Sequence, residues 1–418
     1  MKLPEMIKVR QIYEAPVVKN ISEEIRRQFG QLTLPERLKK GSKVAVACSS
    51  RGIANYDLIV KETVNCLCGA GFDPFLFPAM GSHGAATAQG QKKVLENYGL
   101  TEKTTGVPIR SSLKTIRIGA IEKDIPILID SMACQADQIV LINRIKSHTE
   151  FEHEFESGLL KMMAIGLGKK EGASIYHKAF MIYGYPRIIL SAAKQILDTG
   201  KIMFGVGIVE NGYAQTAKIS VIPGDEIINQ EKKLLRIAKQ LSPRLPFESV
   251  DLLIIDEMGK DISGSGFDTK VVGRILMPLV AKEPESPKVK RILVCDLTEK
   301  TAGNADGVGI ADFVTRRLVD KIDFQALYVN ALTGGEPEHA KIPLTMETDR
   351  EAIEAAIDSV GLIALDSLKI IRIKNTLELN EVEVSIAYKD QINDRRYLEI
   401  ISGPHPMHFN AEGNLTPL

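Results

Sequence analysis

The sequence predicts an α/β protein: two α/β domains with an active-site cleft between them. Three observations predict it. Apolar runs of strand length alternate with helical patterns through roughly the first 240 residues, the arrangement that gives layers of helix on a largely parallel sheet. The stretch LSPRLPFESV at 241–250, with two prolines, interrupts that alternation before a fresh apolar run, which reads as a domain boundary. The second half then repeats the style of the first. We therefore expect domains at 1–245 and 246–418, the tail after about 402 packing back on the first domain. A chain of 418 residues is long enough for two such cores.

In chain order, KVAVACSS (43–50) reads as a buried strand and YDLIVKETVNCLCGAG (56–71) as a helix ended by glycine. FDPFLFPAMGSHG (72–84) is a second strand opening into a glycine-bearing loop, and TAQGQKKVLENYGL (87–100) is the next helix. ADQIVLINRI (136–145) and KIMFGVGIVEN (201–211) are strands, with an amphipathic helix at 226–240 before the break. Beyond it, DLLIIDEMG (251–259) and RILVCDLT (291–298) read as strands. ADFVTRRLVDKI (311–322) reads as a helix, FQALYVNAL (324–332) as a strand and DREAIEAAIDSVG (349–361) as a helix. IRIKNT and EVEVSIAY close the pattern as strands.

Lysine plus arginine and aspartate plus glutamate both number 53, so no basic excess points to nucleic acid or to an anionic membrane. No apolar run reaches membrane-spanning length and the N-terminus lacks the apolar core of a signal peptide. Five scattered cysteines do not make a disulfide framework. These readings lead us to expect a cytoplasmic protein with no nucleic-acid or membrane partner. Oligomeric state, a homo-oligomer included, stays open.

The chemistry concentrates where strands end, as ligand sites in open α/β sheets do. Arg51 follows the first strand, His83 the second and His148 the strand that ends at 145. Gly81 and Gly84 flank His83 and permit unusual backbone angles or a close approach. SHTEFEHEFESG places Glu150, Glu152, Glu154 and Glu156 at alternate positions, most of them expected on an exposed acidic segment. Lys161 stands in ESGLLKMMAIGLG between leucines and methionines. Its residues alone permit two readings, a solvated lysine on an amphipathic helix or a buried amine kept for its nucleophilicity.

The ordered set Arg51, His83, His148, Lys161 and His177, carried by SSRG, GSHGAAT, KSHTEF, SGLLK and IYHKAF, resembles the nickel-dependent lactate racemase family of 2-hydroxyacid racemases and epimerases. Arg51 to His83 spans thirty-two residues and Lys161 to His177 sixteen. The resemblance implies a nickel-pincer nucleotide, a pyridinium mononucleotide with two sulfur-bearing arms that hold nickel. It implies Lys161 as the residue joined to one arm, His177 as the nickel ligand, His83 and His148 as catalytic bases, and Arg51 as the carboxylate clamp. Cofactor-maturation enzymes and a small 2-hydroxyacid or aldonate substrate are the implied partners. GKDISGSGFDTK (259–270) lies where the family places further substrate contacts, giving Lys260, Asp268 and Lys270. Asn304 and Asp306 in TAGNADGVGIADF are further loop candidates. Gly84 stands where family lactate racemases have arginine, Lys161 follows ESGLL rather than a glycine run, and the acidic EFEHEFE lengthens the segment before it. These departures leave the identity of the hydroxyacid open. Two readings of other classes remain: a zinc-dependent hydrolase or lyase built on His148, His153 and His177, and a non-catalytic binding protein.

Overall fold

The structure, a computed structural model, describes residues 1–34 and 38–418. The chain is α/β and divides into two compact units. One comprises Glu14–His148 and Glu152–Ser242; the other comprises Met1–Tyr13, Thr149–Phe151 and Pro243–Leu418.

The first unit is built on a five-stranded sheet in the order Asp73–Pro78, Lys43–Cys48, Gln138–Arg144, Ile202–Glu210, Thr216–Pro223. The first four strands run parallel and the last antiparallel. Val44 to Cys48 and Ile139 to Ile142 are fully buried without alternation, as strands covered on both faces must be. One face packs Val44, Val46, Val140, Ile142 and Val206 against Ile59, Val60 and Leu67 of the Tyr56–Gly69 helix. An antiparallel pair, Thr115–Ile121 with Ile125–Asp130, lies apart from this sheet.

The second unit holds an eight-stranded sheet in the order Leu344–Met346, Phe313–Thr315, Lys288–Val294, Ser249–Ile255, Ile370–Ile373, Glu381–Ser385, Met6–Gln11, Leu398–His405. Its first five strands are parallel and the rest antiparallel. Alternate residues feed two cores: Leu253, Ile255, Ile292 and Val294 one, Leu252, Ile254, Leu293 and Cys295 the other. The chain's first strand belongs here because it pairs on both sides with C-terminal strands. The tail also stays in this unit: Met6 pairs with His405, and the Leu415 N–H donates to Asp349 at 2.7 Å.

Two local expectations in this half fail. FQALYVNAL is not a strand but part of the Phe324–Gly334 helix. Asp323 caps its start by accepting the Ala326 N–H, and Gly335 ends it at φ +79°. Only Leu327 and Ala331, four apart, are buried, so an unbroken apolar run concealed a helical period. ADFVTRRLVDKI is split instead of wholly helical, with Phe313–Thr315 in the sheet and the helix starting at Arg316.

Candidate active site

Three neighbouring parallel strands end level with one another. Pro78 pairs with Cys48, and Cys48 with Ile142. The segments leaving these ends carry His83, Arg51 and His148, so the three side chains depart from one edge of one sheet, where α/β folds collect ligands.

Lys161 arrives at this edge on a short helix whose start is built with care. Asn143, at the end of the Gln138–Arg144 strand, donates from Nδ2 to the Gly158 carbonyl at 2.8 Å. Glu231, fully buried on the Ile227–Leu241 helix, accepts the Leu160 N–H at 3.0 Å. A Cβ on Gly158 would lie 2.5 Å from Glu231 Oε1, so the glycine makes room for that carboxyl group. Leu159–Lys161 forms one turn and Met162–Gly166 is wound as a π-helix, the Leu167 N–H reaching the Met162 carbonyl. Such bulges occur often at functional sites. Lys161 is half-buried while Leu159, Leu160, Met162, Met163 and Ala164 are buried.

The Lys161 amine hydrogen-bonds His148 Nε2. His148 is only 4% exposed and its ring lies 5.4 Å from that of Tyr185. His177, on the Lys169–Tyr183 helix, meets the same tyrosine edge-on at 6.3 Å. Tyr185 in turn stacks on Phe180 at 4.0 Å. The structure thus sets His148 and His177 against one aromatic wall, with the Lys161 amine hydrogen-bonded to the first of them.

The backbone of His148 is held by Glu156. This carboxylate is 1% exposed, accepts the His148 N–H at 2.6 Å and the His153 N–H at 3.1 Å, and pairs with Lys239 at 2.6 Å. Glu152 and Glu154 are exposed as expected, with Lys239 and Lys232 as partners. Glu150 is half-buried, and Glu156 is the fully buried member of the acidic series.

The His83 loop is held from beneath by Lys169, which is 0% exposed. Its amine donates to the Pro78 carbonyl and to Gln91 Oε1, both at 2.6 Å, and lies 3.7 Å from buried Asp130. Gln91 Nε2 donates to the Met80 and Gly81 carbonyls at 3.2 and 2.9 Å. Burial pushes the Lys169 amine down to about 8 against the pull of Asp130, whose own carboxyl is pushed up by burial. Farther along, Gly84 has φ +64°, and a Cβ there would stand 2.4 Å from the Gly90 carbonyl carbon. This position has no room for any side chain.

Arg51 reaches solvent, yet the surrounding protein desolvates its guanidinium and pushes its pKa down, with the Arg144 charge pushing the same way and Tyr98 opposing. Arg144 is itself paired with Glu210. In the second unit, Lys260 pairs with Asp306 at 2.7 Å. Asp268 caps a short helix by accepting the Lys270 N–H at 3.0 Å, while its own N–H donates to Thr376. Lys270 is half-buried. Asn304 accepts the Asp306 N–H, ordinary turn chemistry. His153 packs its ring on Phe155 at 4.3 Å. Among the described residues no group of three or more His, Cys, Asp or Glu is placed to hold a metal ion, so nothing supports the zinc reading.

Sequence reasoning passed over Lys169, Gln91, Glu231 and Tyr185, and assigned no role to Glu156. Lys169 sits beside Lys170 in GLGKKEG and looks like solvated charge. A signal existed for Glu231: a glutamate at a position that the helical period of 226–240 assigns to the buried face.

Residues 3–185 match the lactate racemase N-terminal domain family. Among solved structures, the chain is similar to the lactate racemase apoprotein from Thermoanaerobacterium thermosaccharolyticum. The identity is 15%, over 68% of this chain and 69% of that one, with a TM-score of 0.43. No curated protein sequence matches. No helix among the described residues is long and apolar enough to cross a membrane.

Proposed function

We propose, taking the match of residues 3–185 to the lactate racemase N-terminal domain as premise, that this chain is a 2-hydroxyacid racemase or epimerase carrying a nickel-pincer nucleotide. The observation that carries the reading is that the Lys161 amine hydrogen-bonds His148 while His148 and His177 both lie against Tyr185. The donor set fits the group: one half-buried amine for a covalent link, hydrogen-bonded to His148, and a second imidazole, His177, which meets the same Tyr185 as His148 and is a good ligand for nickel. Lys161 would hold the cofactor and His177 its metal. When bound, the cofactor supplies a reversible hydride acceptor.

The remaining work falls to the chain. Removing a proton from the carbon of a 2-hydroxyacid is hard, whereas removing one from its hydroxyl while hydride leaves the carbon avoids a carbanion. His148 takes the hydroxyl proton of one enantiomer and His83 that of the other, and each returns a proton to oxygen in the reverse direction. Imidazole suits this because it gains and loses protons near neutrality. Arg51 offers its fork of donors to the substrate carboxylate. Joining the Lys161 amine in an amide-type bond removes its charge and so the cost of keeping it among Leu159, Leu160 and Met162.

Lys260, Asp268 and Lys270 are proposed as further substrate contacts, of which Asp268 also serves as a helix cap. The test is a panel of D- and L-2-hydroxyacids and aldonates given to protein made with the cofactor-building enzymes. Loss of optical purity with at least one substrate supports the reading. Retention of optical purity throughout, in protein shown to carry the cofactor, overturns it.

A further inference from the structure

We infer that Glu156 is a positioning residue for His148: its buried carboxylate, tied to Lys239, fixes the backbone from which the imidazole meets Lys161. This deepens the proposed function, resting on it only for the role of His148 as a base.

The segment between His148 and the Lys161 helix is a closed excursion. Lys146 and Ser157 exchange backbone hydrogen bonds at 2.8 and 3.1 Å, pinning its two ends. Inside the closure Glu156 takes one donor on each oxygen, the His148 N–H on Oε2 and the His153 N–H on Oε1. Lys239 adds its ammonium to Oε1 at 2.6 Å. A carboxylate this buried is tolerated only when its lone pairs are met by donors, and here they are met by the backbone of a site residue. Burial works against the Lys239 charge, and the hydrogen bonds and charges of Glu156 and Glu152 together outweigh it, so the lysine pKa sits above its ordinary value.

Lys239 is on the Ile227–Leu241 helix, the helix that also sends Glu231 to the start of the Lys161 turn. Residues 231 and 239, eight apart, share a helix face. One helix therefore sets both partners of the Lys161–His148 hydrogen bond, through a carboxylate in each case. That helix lies beyond the 3–185 match. The acidic segment supplies Glu156 as the inward anchor, leaving Glu152 and Glu154 at the surface.

The experiment is histidine modification by diethyl pyrocarbonate on the full, unloaded chain, read by peptide mass. In the wild type His148 should react slowly, being 4% exposed. Losing a charge-assisted hydrogen bond in Glu156→Gln should raise the His148 rate about tenfold, with His83 and His177 unchanged. Glu154→Gln, which removes a surface partner of Lys232, should leave all three as they were. Lys239→Met gives the same selective rise, to a smaller extent, should Glu156→Gln fail to fold. In cofactor-loaded enzyme, Glu156→Gln should lower kcat with KM held, because the base moves while the carboxylate clamp stays. An unchanged His148 rate, or a rise shared equally by the three imidazoles, overturns the assignment. Absence of racemisation by the loaded wild type would sink the proposed function instead, and the modification experiment would still decide the link between Glu156 and His148.

Discussion

Replacing Glu231 with glutamine should stabilise the protein above neutral pH. Glu231 is fully buried, and its Oε1 has no hydrogen-bond partner among the described residues. Burial pushes its carboxyl from an ordinary 4.5 up to about 7, with the Leu160 and Leu159 N–H groups holding it back. The folded chain therefore keeps this proton until about pH 7, while the unfolded chain releases it near 4.5. The folded state is most favoured below 4.5; that advantage drains away as pH rises from 4.5 to 7 and is gone above it. The gap is about 2.5 units, or about 3 kcal/mol at 1.36 kcal/mol per unit, as an upper bound. Glutamine keeps an oxygen for the Leu160 N–H and never ionises, so it escapes the loss. Unfolding of wild type and variant should be followed in denaturant from pH 4 to 8.5. The stability difference should be small at the acid end, grow in the variant's favour between 4.5 and 7, and then level off. A difference that stays flat across this range would refute the reasoning, since other titrating groups cancel between the two proteins.

Further outcomes follow from the other buried contacts. Lys169→Met strands the Asp130 carboxylate and frees the Pro78 and Gln91 acceptors. It should cost about 3–5 kcal/mol, the usual price of breaking a buried pair, and raise amide exchange in peptides covering 79–91; a loss under about 1 kcal/mol argues against that role. Gly84→Ala places a methyl 2.4 Å from the Gly90 backbone at φ +64°. It should cost about 1–3 kcal/mol in thermal unfolding, and a neutral result would mean that the loop is free to open.

Much of the first unit is legible in its sequence. Uninterrupted apolar runs such as VAVAC and IVLIN carry enough burial to read as central parallel strands, and the ends of such strands are where polar residues matter. That logic found Arg51, His83 and His148 without knowledge of their partners. Residues 324–332 read as a strand in sequence because apolar density hides the four-residue period of a helix that Asp323 caps. The supports of the site were illegible for another reason. Glu231 meets Leu160 across 71 residues and Lys169 meets Pro78 across 91. A buried carboxylate or ammonium looks in sequence like any surface charge until the fold brings its donor or acceptor to it. Glu156 shows the same within one motif, where alternation puts it on the face of Glu152 and Glu154 but the closure at Lys146 and Ser157 turns it inward.

The most direct measurement is peptide mass spectrometry together with metal analysis on protein produced alongside the cofactor-building enzymes, with protein produced without them as the control. The account predicts nickel in the first preparation and a mass increase confined to the peptide that contains Lys161, with both absent from the control. An unmodified Lys161 peptide and no nickel in the first preparation would contradict it.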